Sequence, residues 1–381
     1  MMRKKVLFPV LIVLSVLIIA VIIFCLLIRN LNGSSDKMPT GRNEAETYLL
    51  SLDTFNGAAG LDLSTRDFSD VSLEVLAQVL YDSKTLWPDA SKLPKGFSPE
   101  VWLTTAKAHG AGLDNLHQAG ITGKGISIAI FDKPINENHK EFSDRLVYIK
   151  TDCVGRFDVL HFHGISCASV IAGSTCGVAP EVNLFYFAVP DSTENFSNYC
   201  KAMDELIEFN RMLPQDQKIR LVSISDGLTE EGSQWEKWQT ALNKAEQEGI
   251  AVNYSNELIK WDIAYGGCPP YNDINNPKNF IPEHYVKGMR IPKNLTFTPS
   301  SYRTTAANEG DDAYRYWPEG GFSWSIAYVS GLSALAYQVN PDITYEEIVD
   351  LLCETKLSDK DSFGLINPEA FIEAVKVHKS Q

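Results

Sequence analysis

The chain of 381 residues is long enough for one large domain or two medium ones with an ample core. Its hydrophobic content of 44% and charged content of 22% are ordinary for a globular protein. A formal net charge of −14 argues against a nucleic-acid partner, which would need a clustered basic face.

Val6–Ile28 is an uncharged apolar run of 23 residues, long enough to span a hydrocarbon layer of roughly 30 Å as a helix. Arg3, Lys4 and Lys5 precede it and only Arg29 follows closely. That asymmetry places residues 1–5 in the cytoplasm and the rest of the chain outside. A cleaved signal peptide would have an apolar core of about 7–15 residues and a small-residue cleavage site. No such site follows here, and Phe24 stands before Cys25 where a lipoprotein signal has a small residue. The expectation is a single-pass anchor in the cell membrane over residues 6–28, with the remainder extracellular.

Of the seven cysteines, Cys25 lies in this run and Cys153, Cys167, Cys176, Cys200, Cys268 and Cys353 lie beyond it. An even number in an exported domain permits up to three disulfides. The alternative is burial as small hydrophobes, which suits Cys167 in its run of small residues. No Cys-x-x-Cys pair points to structural zinc.

Residues 29–98 read as a juxtamembrane linker and a small N-terminal region. Gly33–Thr40 has linker composition. Leu73, Leu76 and Leu80 share one face of a predicted helix over Leu73–Tyr81, and Trp87-Pro88 and Leu93-Pro94 mark turns. Residues 99–381 read as the main domain. After a helix and loop over Pro99–Gly120, strand-length apolar runs at Ile126–Phe131, Val182–Val189, Leu221–Ile224 and Ile250–Tyr254 alternate with helical patterns. Phe196, Tyr199, Met203, Leu206 and Ile207 make one such pattern, and Trp235, Trp238, Leu242 and Ala245 another that closes at Gly249. Thr344 with Glu347 forms a capping box, and Asn367-Pro368 opens a last helix. The alternation predicts an α/β domain with a mostly parallel sheet. Glu257–Ser301, rich in Pro, Gly and Asn, interrupts it and reads as surface loops.

Three segments carry the residue types of nucleophilic catalysis. Asp132 ends the apolar run that begins at Gly125, at the strand end where open α/β sheets bind ligands. His163 stands at the mouth of a helix of small residues, Gly164 to Gly173, that can pack closely and fix the imidazole. Ser323 follows Gly320-Gly321 at the mouth of a second such helix. Each alone has a plainer reading: a turn-capping Asp, a structural His or a metal ligand with His161, a serine N-cap.

In this order and setting the three segments resemble the subtilases, the subtilisin-like serine proteases, whose triad runs Asp, His, Ser. Gly177-Val178-Ala179-Pro180 after the histidine helix, with a strand next, fits the same family. The resemblance covers roughly Gly120 to Val377. It implies a subtilisin-like three-layer α/β fold preceded by the transmembrane helix, and serine endopeptidase activity on polypeptides without a required cofactor. Ser323 would be the nucleophile, His163 the base and Asp132 its orienting acid. Asn256, with Asn253 in reserve, would hold the oxyanion, and Ser225-Asp226-Gly227 would bind extended substrate. Structural calcium occurs in the family, though no acidic loop marks a site. The residues before Gly120 have about the length of a subtilase propeptide but do not read like one. Lys133-Pro134, Ile165-Ser166 and Ala327-Tyr328 depart from the usual residues at those positions and spare the three side chains of the triad. Those departures favour one alternative, an inactive subtilase fold kept as a binding or signalling module. A hydrolase with a metal on His161 and His163 is the other.

Overall fold

A computed structural model describes residues 43–108, 110, 112–142, 145–155, 159–190, 196–227, 230–282, 295–358 and 363–378. The expected membrane helix over residues 6–28 and the tail before it lie outside the described residues. Among the described residues no helix is long and apolar enough to cross a membrane.

Five parallel strands form the central sheet in the order β3-β4-β2-β5-β6. They are β2 (Ser127–Asp132), β3 (Leu146–Lys150), β4 (Asn183–Ala188), β5 (Ile219–Ile224) and β6 (Ala251–Tyr254). The four apolar runs read from the sequence are β2, β4, β5 and β6. β2 lies in the middle and is buried along its whole length. Successive side chains of a strand point to opposite faces. Ile128 and Ile130 therefore join one core with the helices Phe162–Ala172 and Phe322–Val339. Ala129 and Phe131 join another with the helices Ser197–Met212 and Gly232–Gln247. Helices on both faces of a parallel sheet make the three-layer α/β architecture. Gly249 follows the second of these helices with φ 72°, the left-handed conformation that closes a helix.

Glu257–Ser301 corrects an expectation. Instead of surface loops alone it contains β7 (Ile263–Gly267), β8 (Ile281–Pro282) and β9 (Leu295–Ser301). With β12 (Leu357–Ser358) and β13 (Phe363–Leu365) these form a second sheet, ordered β12-β13-β9-β7-β8. β9 is wholly buried although four of its seven residues are Thr or Ser. Its hydroxyls are satisfied inside: Thr298 Oγ1 donates to Ser325 Oγ at 2.7 Å and lies 2.8 Å from Ser300 Oγ. Buried polar groups with such partners cost little.

The N-terminal region also differs from its reading. The helix runs only over Leu73–Ala77, and Tyr81 begins a short strand, β1 (Tyr81–Asp82). β1 adds antiparallel to β11 (Tyr314–Trp317), which pairs with β10 (Arg303–Ala306). The capping box at Thr344 and the cap at Asn367 both form as the sequence implies.

Gly331 shows how tightly the helix Phe322–Val339 is seated. A Cβ placed there would stand 2.5 Å from Val178 Cβ. Gly331→Val is expected to destabilise the protein by about 1–3 kcal/mol through overpacking, and Val178→Ala in the same chain should restore part of the loss. Urea midpoints of the single and double variants test this; a Gly331→Val midpoint at or above that of the parent contradicts it.

Candidate active site

Asp132 is the last residue of β2, paired with Ala188 at the carboxyl end of the sheet. Its side chain is 4% exposed. His163 is the second residue of the helix Phe162–Ala172, whose N-cap is His161. The His161 Nδ1 accepts the His163 backbone N–H at 3.2 Å, so His161 serves the helix end rather than a shared metal.

Gly164 makes room at the next position. A Cβ there would meet the Tyr186 hydroxyl and lie 2.6 Å from the Lys133 carbonyl oxygen. The Tyr186 hydroxyl itself donates to that carbonyl at 2.6 Å. The helix that carries His163 can therefore sit against the end of β2 only with glycine after the histidine.

Ser323 is the second residue of the helix Phe322–Val339, and Gly321 is its N-cap. The serine hydroxyl is thus not consumed as a cap. Gly321 has φ 126°, in the region that favours glycine. A Cβ on Gly320 would collide with the Ser300 carbonyl oxygen, while the Gly320 N–H donates to Ser301 Oγ at 3.0 Å. The Gly-Gly pair is what lets this turn approach β9 and deliver the serine.

These elements bring the three side chains together. With Nδ1 protonated, the His163 ring donates to Asp132, with Nδ1 2.8 Å from Oδ2 and 2.9 Å from Oδ1. Its Nε2 then accepts from Ser323 Oγ at 2.8 Å. Burial alone would raise the Asp132 carboxyl. The His163 imidazole beside it, with Lys133 and the Lys133 N–H, outweighs that effect and holds it below its ordinary 3.8. The His163 side chain is 16% exposed, so the ring remains reachable from solvent.

The other predicted residues divide. Ser225 follows β5, and its hydroxyl donates to the Ser323 carbonyl at 3.0 Å, tying this strand end to the serine helix. Asp226 accepts from the Tyr199 hydroxyl at 3.2 Å and from the Gly227 N–H at 2.8 Å. Its carbonyl takes the Ser255 N–H at 2.9 Å, closing that oxygen to an added strand. A Cβ on Gly227 would lie 2.9 Å from Ser255 Cβ and 3.1 Å from Asn256 Oδ1. Asn256 therefore flanks the Ser225–Gly227 segment, with its Nδ2 donating to Glu230 Oε1 at 3.1 Å. Asn253 points elsewhere: its buried Nδ2 donates to the Ile326 carbonyl at 2.9 Å and to Ser330 Oγ at 2.8 Å. It locks β6 to the serine helix, which removes it as the reserve oxyanion donor. Sequence reasoning missed Glu230, whose contact with Asn256 reaches across a whole helix and strand, 26 positions, and leaves no local signal.

Among the described residues, the one grouping of three metal-type donors is Asp132, His163 and Cys167. It does not fit a metal. Burial pushes the Cys167 thiol well above its ordinary pKa, reinforced by the charge of Asp132, and His163 already bridges Asp132 and Ser323. Glu141, the most buried of the other carboxylates among the described residues, is equally committed. Its oxygens take the Thr175 hydroxyl and N–H and the Tyr314 hydroxyl, and Lys107 stands 4.0 Å away. Calcium would have to displace these donors. Cys153, Cys167, Cys176, Cys200, Cys268 and Cys353 are all free thiols rather than disulfides.

A serine, a histidine and a buried aspartate joined at the carboxyl edge of a three-layer parallel sheet define the class of serine hydrolases with an Asp-His-Ser order. More narrowly, the sequence model of the subtilase family matches residues 123–256 of this chain. It is similar to serine protease AprX of Bacillus subtilis, 24% identical over 297 residues that cover 65% of this chain and 66% of AprX. Alkaline serine exoprotease A of Vibrio alginolyticus is 23% identical over 275 residues, 67% of this chain and 47% of its own length. The chain thus spans less than two thirds of these curated relatives. Among solved structures, the PatG macrocyclase in complex with peptide superposes with a TM-score of 0.52 at 15% identity, over 70% of this chain and 96% of that one. A protease of Pseudoalteromonas arctica superposes with a TM-score of 0.51 at 16% identity, over 72% and 97%. At such identities the structural likeness concerns the fold alone.

Proposed function

We propose that this protein is a membrane-anchored serine endopeptidase working on polypeptides outside the cytoplasm. The observation that carries the reading is the single imidazole of His163 bonded to Asp132 through one nitrogen and to Ser323 Oγ through the other. Ser323 Oγ attacks the peptide carbonyl carbon while its proton passes to His163 Nε2. Asp132 holds the ring tautomer and stabilises the imidazolium. His163 then gives that proton to the departing amine nitrogen as the C–N bond breaks. Water, deprotonated by His163, cleaves the resulting ester and returns Ser323. The anchor rests on the apolar run Val6–Ile28 and the basic residues before it.

Asn256 is the proposed oxyanion donor. Its amide flanks the Ser225–Gly227 segment and donates to Glu230 Oε1 at 3.1 Å, and an amide N–H is the donor type a developing oxyanion needs. Asn256→Ala is expected to lower kcat by about 10²–10³-fold with little change in melting temperature. Asn253→Ala should do the reverse, destabilising the fold through the lost buried bonds to the serine helix. An Asn256 variant with parental kcat would remove it from the mechanism.

The second reading, an inactive subtilase fold used for binding, draws on the same Glu230 contact, which could hold the Asn256 amide away from a substrate. Labelling with a fluorophosphonate probe separates the two readings. Active-site labelling that disappears in Ser323→Ala supports the peptidase; folded parent protein that never labels supports the binding module.

A further inference from the structure

The residues from Asn43 to Ala106 are woven into the body of the protein. β1 pairs Tyr81 with Tyr316 and Asp82 with Arg315 of β11. The Ser83 N–H donates to the Tyr314 carbonyl at 2.9 Å, and the Tyr314 N–H returns to Ser83 Oγ at 3.1 Å. On β10 the Thr304 N–H donates to the Ala106 carbonyl at 2.9 Å. The three strands share one hydrogen-bonded sheet.

Side chains continue the same seam. Tyr81 and Tyr316 are wholly buried against each other, their ring centroids 5.2 Å apart, in a core that also holds Phe68, Phe97 and Trp102. The Tyr316 hydroxyl donates to the Ala77 carbonyl at 2.9 Å. Gln78 Nε2 donates at 2.7 Å to the hydroxyl of Tyr302, a residue held at φ 55°, where a bulky side chain is strained without support from its surroundings. Tyr302 in turn bonds through its N–H to the Pro318 carbonyl at 3.1 Å. β11 ends at Trp317, and the turn that follows leads through Gly320 and Gly321 to Ser323. With all of this in place the His163 ring keeps its solvent exposure, so the docked segment does not seal the site.

We propose that Asn43–Ala106 is a permanent part of the working protein, docked on β10 and β11 as its partner surface, and not a leader removed on maturation. Its activity readout rests on the serine-peptidase reading, while its docking readout does not. The test uses the full chain with a sequence-specific protease recognition site inserted after Ala108, between the docked segment and the helix Leu113–Gln118, which packs in the main core and stays with the body. After cleavage the two fragments are expected to elute together in size-exclusion chromatography and to melt in one transition. Fragments that separate while the body keeps the parental melting temperature overturn the proposal; separation with loss of the body's transition upholds it.

Should the insertion prevent folding, N-terminal sequencing of the serine-labelled parent protein decides instead. A labelled species beginning at or before Asn43 supports permanence, and one beginning after Ala106 overturns it. Co-elution without any fluorophosphonate labelling keeps the docking and removes the peptidase reading, so the two fail separately.

Discussion

Ser323→Ala and His163→Ala are each expected to lower kcat by about 10⁶-fold, and the double variant to fall no further. The reason lies in the shared hydrogen bond. Ser323 Oγ stands 2.8 Å from His163 Nε2, so the hydroxyl becomes a nucleophile only as that nitrogen takes its proton. Removing either partner ends the same event. Neither substitution enlarges a side chain, and Ser323 is not the N-cap of its helix, so the fold should be little affected. The measurement is single-turnover hydrolysis of a peptide ester alongside fluorophosphonate labelling. Losses that multiply in the double variant would mean the two residues act independently, and the triad assignment would fail.

The central sheet was legible because its strands are continuous apolar runs buried on both faces, as in Ile126–Phe131, and because glycines and caps punctuate the helices between them. The meeting of Asp132, His163 and Ser323 was legible for a different reason. Each member needs a local setting that leaves a sequence mark: a strand end for Asp132, a glycine under the Tyr186 hydroxyl for His163, and two glycines against β9 for Ser323. What stayed hidden depends on partners distant in sequence. β9 looks polar because Thr298 and Ser300 face hydroxyl partners on the serine helix rather than water. β1 is invisible because its two residues gain their strand character from β11, more than 200 positions away. His161 beside His163 resembled half a metal site, whereas its imidazole closes a helix terminus, a task more often done by Ser, Thr, Asp or Asn.

Asp132→Asn is the sharper test of how the site works. The amide has nearly the carboxylate's shape, so β2 and its neighbours should hold their places, yet kcat is expected to fall by about 10⁴-fold. Asn can present its oxygen to the Nδ1 proton or its NH₂ to a bare Nδ1. The second arrangement puts the proton on Nε2, where it can no longer accept from Ser323. Even in the correct tautomer the imidazolium would lose the negative charge lying 2.8 Å away. The same substitution has a signature in stability. The folded carboxyl of Asp132 is held below its ordinary 3.8 despite burial, so its charged form favours the native state. That contribution is fully present above the unfolded value and is lost as pH falls through the lower folded one. Urea midpoints of the parent should therefore drop as pH falls below about 4, and Asp132→Asn should lack this part of the decline. An Asn variant with near-parental kcat would show that His163 needs no anionic partner. One with the full acid decline would place the acid sensitivity in carboxylates such as Glu141, which burial would raise but its hydroxyl and N–H donors hold low.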